Sequence, residues 1–86
     1  MSRYAVRWLE DAENELADIW LNAPDRRAIT TAQAAVDRLL AASPMSQGIE
    51  LAEGLRRLTV APLTVFYSIR QAERLVEVAK VTWRPS

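Results

Sequence analysis

The sequence predicts an α+β domain of order β-α-α-β-β-β, in which an antiparallel sheet carries a two-helix hairpin packed on one face. Three observations lead there. Two apolar stripes of the same spacing, Leu9-Ala12-Leu16-Ile19-Trp20 and Ile29-Ala32-Val36-Leu39-Leu40, flank a short break, and both have the period of a helix. Three late segments alternate apolar and polar residues and are joined by connectors of hairpin length. One further alternating segment precedes the helices. Matching stripes on neighbouring helices must bury against a common surface, and here that surface is the sheet.

The first strand is expected over Arg3 to Trp8, with Tyr4, Val6 and Trp8 on one side and Arg3 and Arg7 on the other. From Leu9 the period changes. Glu10, Asp11 and Glu13 open the first helix, where the helix dipole favours negative charge, and Asn14 and Asp18 lie away from its stripe. Asn22-Ala23-Pro24-Asp25 ends it, because proline has no amide hydrogen and a fixed φ. The second helix is expected from about Asp25 to Ala42 and closes at Ser43-Pro44. Met45 to Glu53 shows no strong period and is expected as a connecting loop. Strands follow over Arg56 to Val60, Leu63 to Ile69 and Leu75 to Trp83, with turns at Ala61-Pro62 and Gln71 to Arg74. Trp8 and Trp20 fall on apolar faces and are assigned to the core. Trp83 is placed as a lid on the helical layer, with an exposed anchor for a partner as the alternative.

Composition narrows the chemistry. The 86 residues are of single-domain size, 50% hydrophobic and 26% charged, as in a folded domain rather than a disordered segment. There is no cysteine and no histidine, which removes disulfides, thiol and imidazole catalysis and the usual zinc ligands. No cofactor and no metal are expected. The opening MSRYAVRWLEDAENEL has no long apolar run, so neither a signal peptide nor a membrane span is expected, and the chain is placed in the cytoplasm. Net charge is zero but unevenly spread. Residues 1–55 hold five arginines against nine acids, whereas residues 56–86 hold five arginines and one lysine against two acids. An acidic helical half and a basic strand half offer different faces to a partner. The overall pI of about 6.2 is low for a protein whose main task is gripping phosphates.

The stretch Gly54 to Tyr67, GLRRLTVAPLTVFY, joins two adjacent arginines to alternating apolar residues around a turn. With Pro44 and Gly48 before the sheet, the Gly54-x-Arg56 step, the aromatic Tyr67 and Arg84 closing the last strand, it resembles the RelE/ParE superfamily of bacterial toxins, ParE-like and associated with plasmid stabilisation. That resemblance implies the toxin half of a type II toxin–antitoxin pair, held by a cognate antitoxin that lays an extended or helical segment across it. In the RelE-like branch it implies a ribosome-dependent mRNA endonuclease whose basic groups converge on one phosphate. Here Arg56, Arg57, Tyr67 and Arg84 are the candidates for that set. The position where the nuclease pattern carries a second-strand arginine is Thr64, and the ending Trp83-Arg84-Pro85-Ser86 supplies no terminal histidine or tyrosine. The ParE-like branch implies poisoning of DNA gyrase, so that activity is a binding event and the chain is not an enzyme. Its long helices, neutral charge and shortened basic set favour that branch. An inert interaction module of the same fold is the third reading. The resemblance leaves the assembly as a homo-oligomer or a hetero-oligomer with the antitoxin.

The expected partner or target surface is a basic sheet rim of Arg56, Arg57, Arg70 and Arg84, with Trp83 beside it. Strand alternation puts Arg56 and Arg57 on opposite faces, so one of them at most serves a given site. The cluster Glu10, Asp11, Glu13 and Glu15 is expected to be a solvated helix face rather than a metal or acid–base site. Thr59, Thr64 and Ser68 have no histidine to activate them. The loop from Met45 to Glu53 lacks the glycine density of a phosphate cradle.

Overall fold

A computed structural model describes residues 3–84. The elements are β1 (Ala5–Trp8), α1 (Glu10–Asn22), α2 (Arg26–Ala42), β2 (Ile49–Ala52), β3 (Leu55–Val60), β4 (Leu63–Arg70), a 3-10 turn at Gln71–Glu73 and β5 (Leu75–Trp83). The helical hairpin and the late strands stand where their periodicity puts them.

Local chemistry sets the helix ends. The Asp25 carboxylate accepts the Ala28 amide at 3.1 Å and caps α2. The N-cap of α1 is Leu9, which has no capping side chain, and Glu10, Asp11 and Glu13 in the first turn offset the exposed dipole instead. Each helix stops two residues before a proline, Pro24 for α1 and Pro44 for α2.

The sheet differs from the expected one in two ways. Its order is β1-β5-β4-β3-β2, and β1 runs parallel to β5, so the sheet is mixed. Short turns dictate antiparallel pairing among the late strands, but β1 meets its neighbour only across the whole chain, and no turn sets its direction. Second, the expected loop contains β2, paired with β3 through Ile49↔Arg57 and Glu50↔Arg56 and then bulged before Ala52. All four β2 residues are exposed, so burial imposes no alternation on them for the sequence to display.

The core lies between one sheet face and the helices. Leu58, Leu63, Val65, Tyr67, Val76, Val78 and Val81 meet Ala12, Ile29, Ala32, Val36 and Leu40. Burying each larger aliphatic side chain contributes about 1.5–3 kcal/mol, which is what fastens the hairpin to the sheet. Trp8 packs against this core and donates its indole Nε1–H to Asp37 Oδ1 at 2.7 Å. Trp20 corrects the sequence assignment, for it is 40% exposed. It sits in the last turn of α1, where the Arg26 guanidinium, 4.6 Å from the ring centroid, covers it in place of the sheet.

The opposite sheet face carries no helix. The pairs Arg57↔Phe66, Thr59↔Thr64, Thr64↔Thr82 and Phe66↔Lys80 put these six side chains on that side, since directly paired residues share a face. None of the described helices is long and apolar enough to cross a membrane.

Candidate functional site

An open groove crosses the helix-free face at the Ala61-Pro62 end of the sheet. Arg57 and Thr59 of β3, Thr64 and Phe66 of β4, and Thr82, Trp83 and Arg84 at the end of β5 line it. The chain is held there by the Arg84 amide, which donates to the Pro62 carbonyl at 3.0 Å. The hydroxyls of Thr59 and Thr64 lie 3.1 Å apart and satisfy one another. Among the described residues, no carboxylate lies within ion-pair distance of Arg57 or Arg84. Arg57 and Arg84 thus line one recess with no counter-ion among the described residues, an arrangement suited to binding an anion.

The other expected site residues are dispersed. Arg56 points to the opposite face, where its Nε and Nη2 donate to the Gln47 carbonyl at 3.2 and 3.0 Å. It braces the loop before β2. Arg70, at the far end of β4, donates from Nε to Glu77 Oε1 at 2.8 Å and stands 3.9 Å from Glu73. The register Ser68↔Glu77 sets Glu77 diagonal to Arg70, a neighbour that sequence spacing does not reveal. The single basic rim expected from the sequence is therefore three separate features, and Arg57 and Arg84 alone share the groove. Tyr67 is fully enclosed, with its hydroxyl 2.9 Å from the carbonyl oxygens of both Pro44 and Gln47. The hydroxyl of this catalytic candidate is thus engaged inside the fold, away from the groove. Trp83 is half-buried. It packs against the core and walls both the groove and a smaller apolar cleft formed with Ala23, Pro24 and Ile29. Pro85 and Ser86, which follow Arg84, lie outside the described residues.

Glu15 was expected on a solvated helix face, and the structure gives it a task. Its Oε1 accepts the Val81 amide at 3.0 Å and its Oε2 accepts from Lys80 Nζ at 3.1 Å. Pairing with β1 ends at Val78, so the carboxylate covers an edge amide that no strand reaches. The Val81 amide holds the Glu15 carboxyl below the ordinary carboxylate range; burial opposes this, and Lys80 adds to the lowering. Only knowledge of where β1 stops could have found this contact. Phe66 and Thr82 of the groove were also missed, although the alternation of Lys80 and Thr82 with buried Val81 was a readable signal.

The groove holds guanidinium groups, hydroxyls and aromatic rings. Guanidinium groups donate hydrogen bonds and do not accept protons, and a hydroxyl needs an adjacent base before it attacks anything.

Two helices packed on one face of a five-stranded mixed sheet match the fold of RelE/ParE toxins. The fold is similar to the RelBE2 toxin–antitoxin complex of Mycobacterium tuberculosis at TM-score 0.83 and 19% identity, covering 100% of this chain and 97% of that one. It is also similar to the chromosomal ParDE system of P. aeruginosa at TM-score 0.65 and 15% identity, with 95% and 97% covered. The isolated E. coli RelE toxin gives TM-score 0.68 and 12% identity, with 96% and 86% covered. A family profile described as the ParE toxin of type II toxin–antitoxin system, parDE, matches residues 6–84. The chain belongs to the ParE toxin family of type II toxin–antitoxin systems. A search of curated proteins finds no match.

Proposed function

We propose that the chain is a growth-inhibiting toxin that acts by binding a housekeeping target such as DNA gyrase, and that a cognate antitoxin neutralises it in the cytoplasm. One observation carries this reading. Among the described residues, the groove that gathers Arg57 and Arg84 holds no carboxylate, imidazole, lysine or tyrosine, and Tyr67 is closed into the core. A surface with anion-binding groups and no acid or base works by association.

A second reading rests on the same two arginines. They could straddle a messenger RNA phosphate on the ribosome, as in a RelE-like endonuclease, if the ribosome supplied the missing acid and base. Expression of the chain alone separates the readings. Filamentous growth with DNA damage is the expected outcome. Rapid arrest of translation with cleaved messenger RNA would establish the nuclease instead, and unaffected growth would leave an inert module.

A further inference from the structure

We propose that Lys80 is an acylation site, at which an acyl phosphate or an acyl thioester converts the side-chain ammonium to a neutral amide and so loosens the clasp that holds α1 on the β5 edge. The inference rests on the geometry around Glu15 and is independent of the toxin reading.

Composition leaves one side chain of the right kind. The chain has no cysteine and no histidine, and Lys80 is its one lysine beside ten arginines. A guanidinium group does not lose its proton in a protein, so the arginines do not compete for an acyl group. The Lys80 side chain is 56% exposed. It lies across from Phe66 on the sheet face that carries no helix, open to a small acyl donor.

Acyl transfer needs the free amine. Lys80 gives one proton to Glu15 or to water, and its nitrogen adds to the acyl carbonyl carbon. A C–N bond forms as the C–O bond of the acyl phosphate, or the C–S bond of the thioester, breaks. Phosphate or thiolate leaves with the bonding pair, a second nitrogen proton passes to the leaving group or to water, and nothing is oxidised or reduced.

The product cannot hold Glu15 as the ammonium does. Glu15 Oε1 accepts the Val81 amide at 3.0 Å and Oε2 accepts from Lys80 Nζ at 3.1 Å, so one carboxylate fastens α1 where β1 no longer covers β5. Acylation removes the charge of Lys80 and leaves Glu15 with the Val81 amide alone. Exposed ion pairs contribute modestly, so the release is local, and the Val81 amide is its reporter.

The test incubates the purified chain with acetyl phosphate, and separately with acetyl-CoA, and locates the label by peptide mass, reading the α-amino group separately. Lys80 should carry an acetyl group, and Lys80→Arg should carry none on any side chain. Because the amine must leave the carboxylate to react, Glu15→Gln should label about two- to fivefold faster. Hydrogen exchange at the Val81 amide, followed by NMR, should quicken by about the same factor on acetylation of the parent and in Lys80→Gln. Acetylation of Glu15→Gln should leave that exchange unchanged, since the coupling between the two side chains is already gone. Circular dichroism checks that each variant is folded, and Lys80→Arg, which keeps the charge, should exchange at Val81 as the parent does. Failure of both donors to label Lys80, equal labelling rates in the parent and Glu15→Gln, or an unaltered Val81 amide in the acetylated parent would each overturn the proposal.

Discussion

The Tyr67 hydroxyl lies 2.9 Å from the Pro44 carbonyl oxygen in the protein interior, tying the middle of β4 to the chain just past α2. The same hydroxyl is 2.9 Å from the Gln47 carbonyl, which Arg56 also reaches. Replacing Tyr67 with Phe keeps the ring and strips both carbonyls of this partner. Stability to urea should fall by about 1–3 kcal/mol, the range for a buried polar group left short of a hydrogen bond. At a temperature where the variant stays folded, its effect on growth should match the parent. Loss of that effect in a fully folded Tyr67→Phe would restore the residue to the catalytic candidates.

Gly48 and Gly54 both have positive φ, 68° and 82°, but they differ in surroundings. A Cβ on Gly48 would come within 2.1 Å of the Arg57 carbonyl oxygen, which is backbone of β3 and cannot swing aside. A Cβ on Gly54 meets nothing within 4 Å. Gly54→Ala should therefore cost about 1–2 kcal/mol, the strain of a left-handed alanine alone. Gly48→Ala adds a backbone clash and should cost about 2–4 kcal/mol, displacing β2 from β3. Equal unfolding midpoints for the two variants would contradict this account of the β2–β3 approach.

Glu15 makes stability depend on acid. Its folded pKa is lowered, first by the Val81 amide, so the unfolded chain takes up its proton before the folded one does. The contribution is present above the ordinary carboxylate value and fades as pH falls through the lower folded value. Glu15→Gln should unfold at the same pH-dependent rate of loss as the parent near neutrality, and lose less stability than the parent below about pH 4.5. Urea titrations of both proteins across that range, taken as a difference, check this. A difference that stays constant with pH would show that the carboxylate's charge contributes nothing to holding α1 on the β5 edge.

How far the sequence could be read depended on whether burial left a pattern. Ile29, Ala32, Val36 and Leu40 are buried together, and their helical spacing stated as much beforehand. Ile49 to Ala52 form a strand through backbone pairing alone, so their side chains carried no trace of it. Trp20 continued an apolar stripe past the point where α1 has a sheet beneath it, and an arginine from the next helix took up the ring. The site was legible in the one respect that alternation governs, the separation of Arg56 from Arg57. Which arginines would keep their charge available was not legible. Glu77 reaches Arg70, and Glu15 reaches Lys80, through contacts set by strand register and helix placement rather than by spacing along the chain.

That separation yields the sharpest functional contrast. Arg56 donates twice to the Gln47 carbonyl on the helix side of the sheet, whereas Arg57 lines the groove on the other. Arg56→Ala should lower stability by about 1–2 kcal/mol through the lost brace and, once folded, still arrest growth. Arg57→Ala removes no internal hydrogen bond or ion pair among the described residues, so its unfolding midpoint should stay within about 0.5 kcal/mol of the parent, as for an ordinary surface change. Its effect on growth should nevertheless fall sharply, and Arg84→Ala should behave the same way. The measurement pairs urea unfolding of each purified variant with growth of cells expressing it from a repressible promoter at matched protein levels. If Arg56→Ala abolished toxicity while folded and Arg57→Ala left it intact, the working surface would lie on the helix side, and the groove between Arg57 and Arg84 would have no part in it.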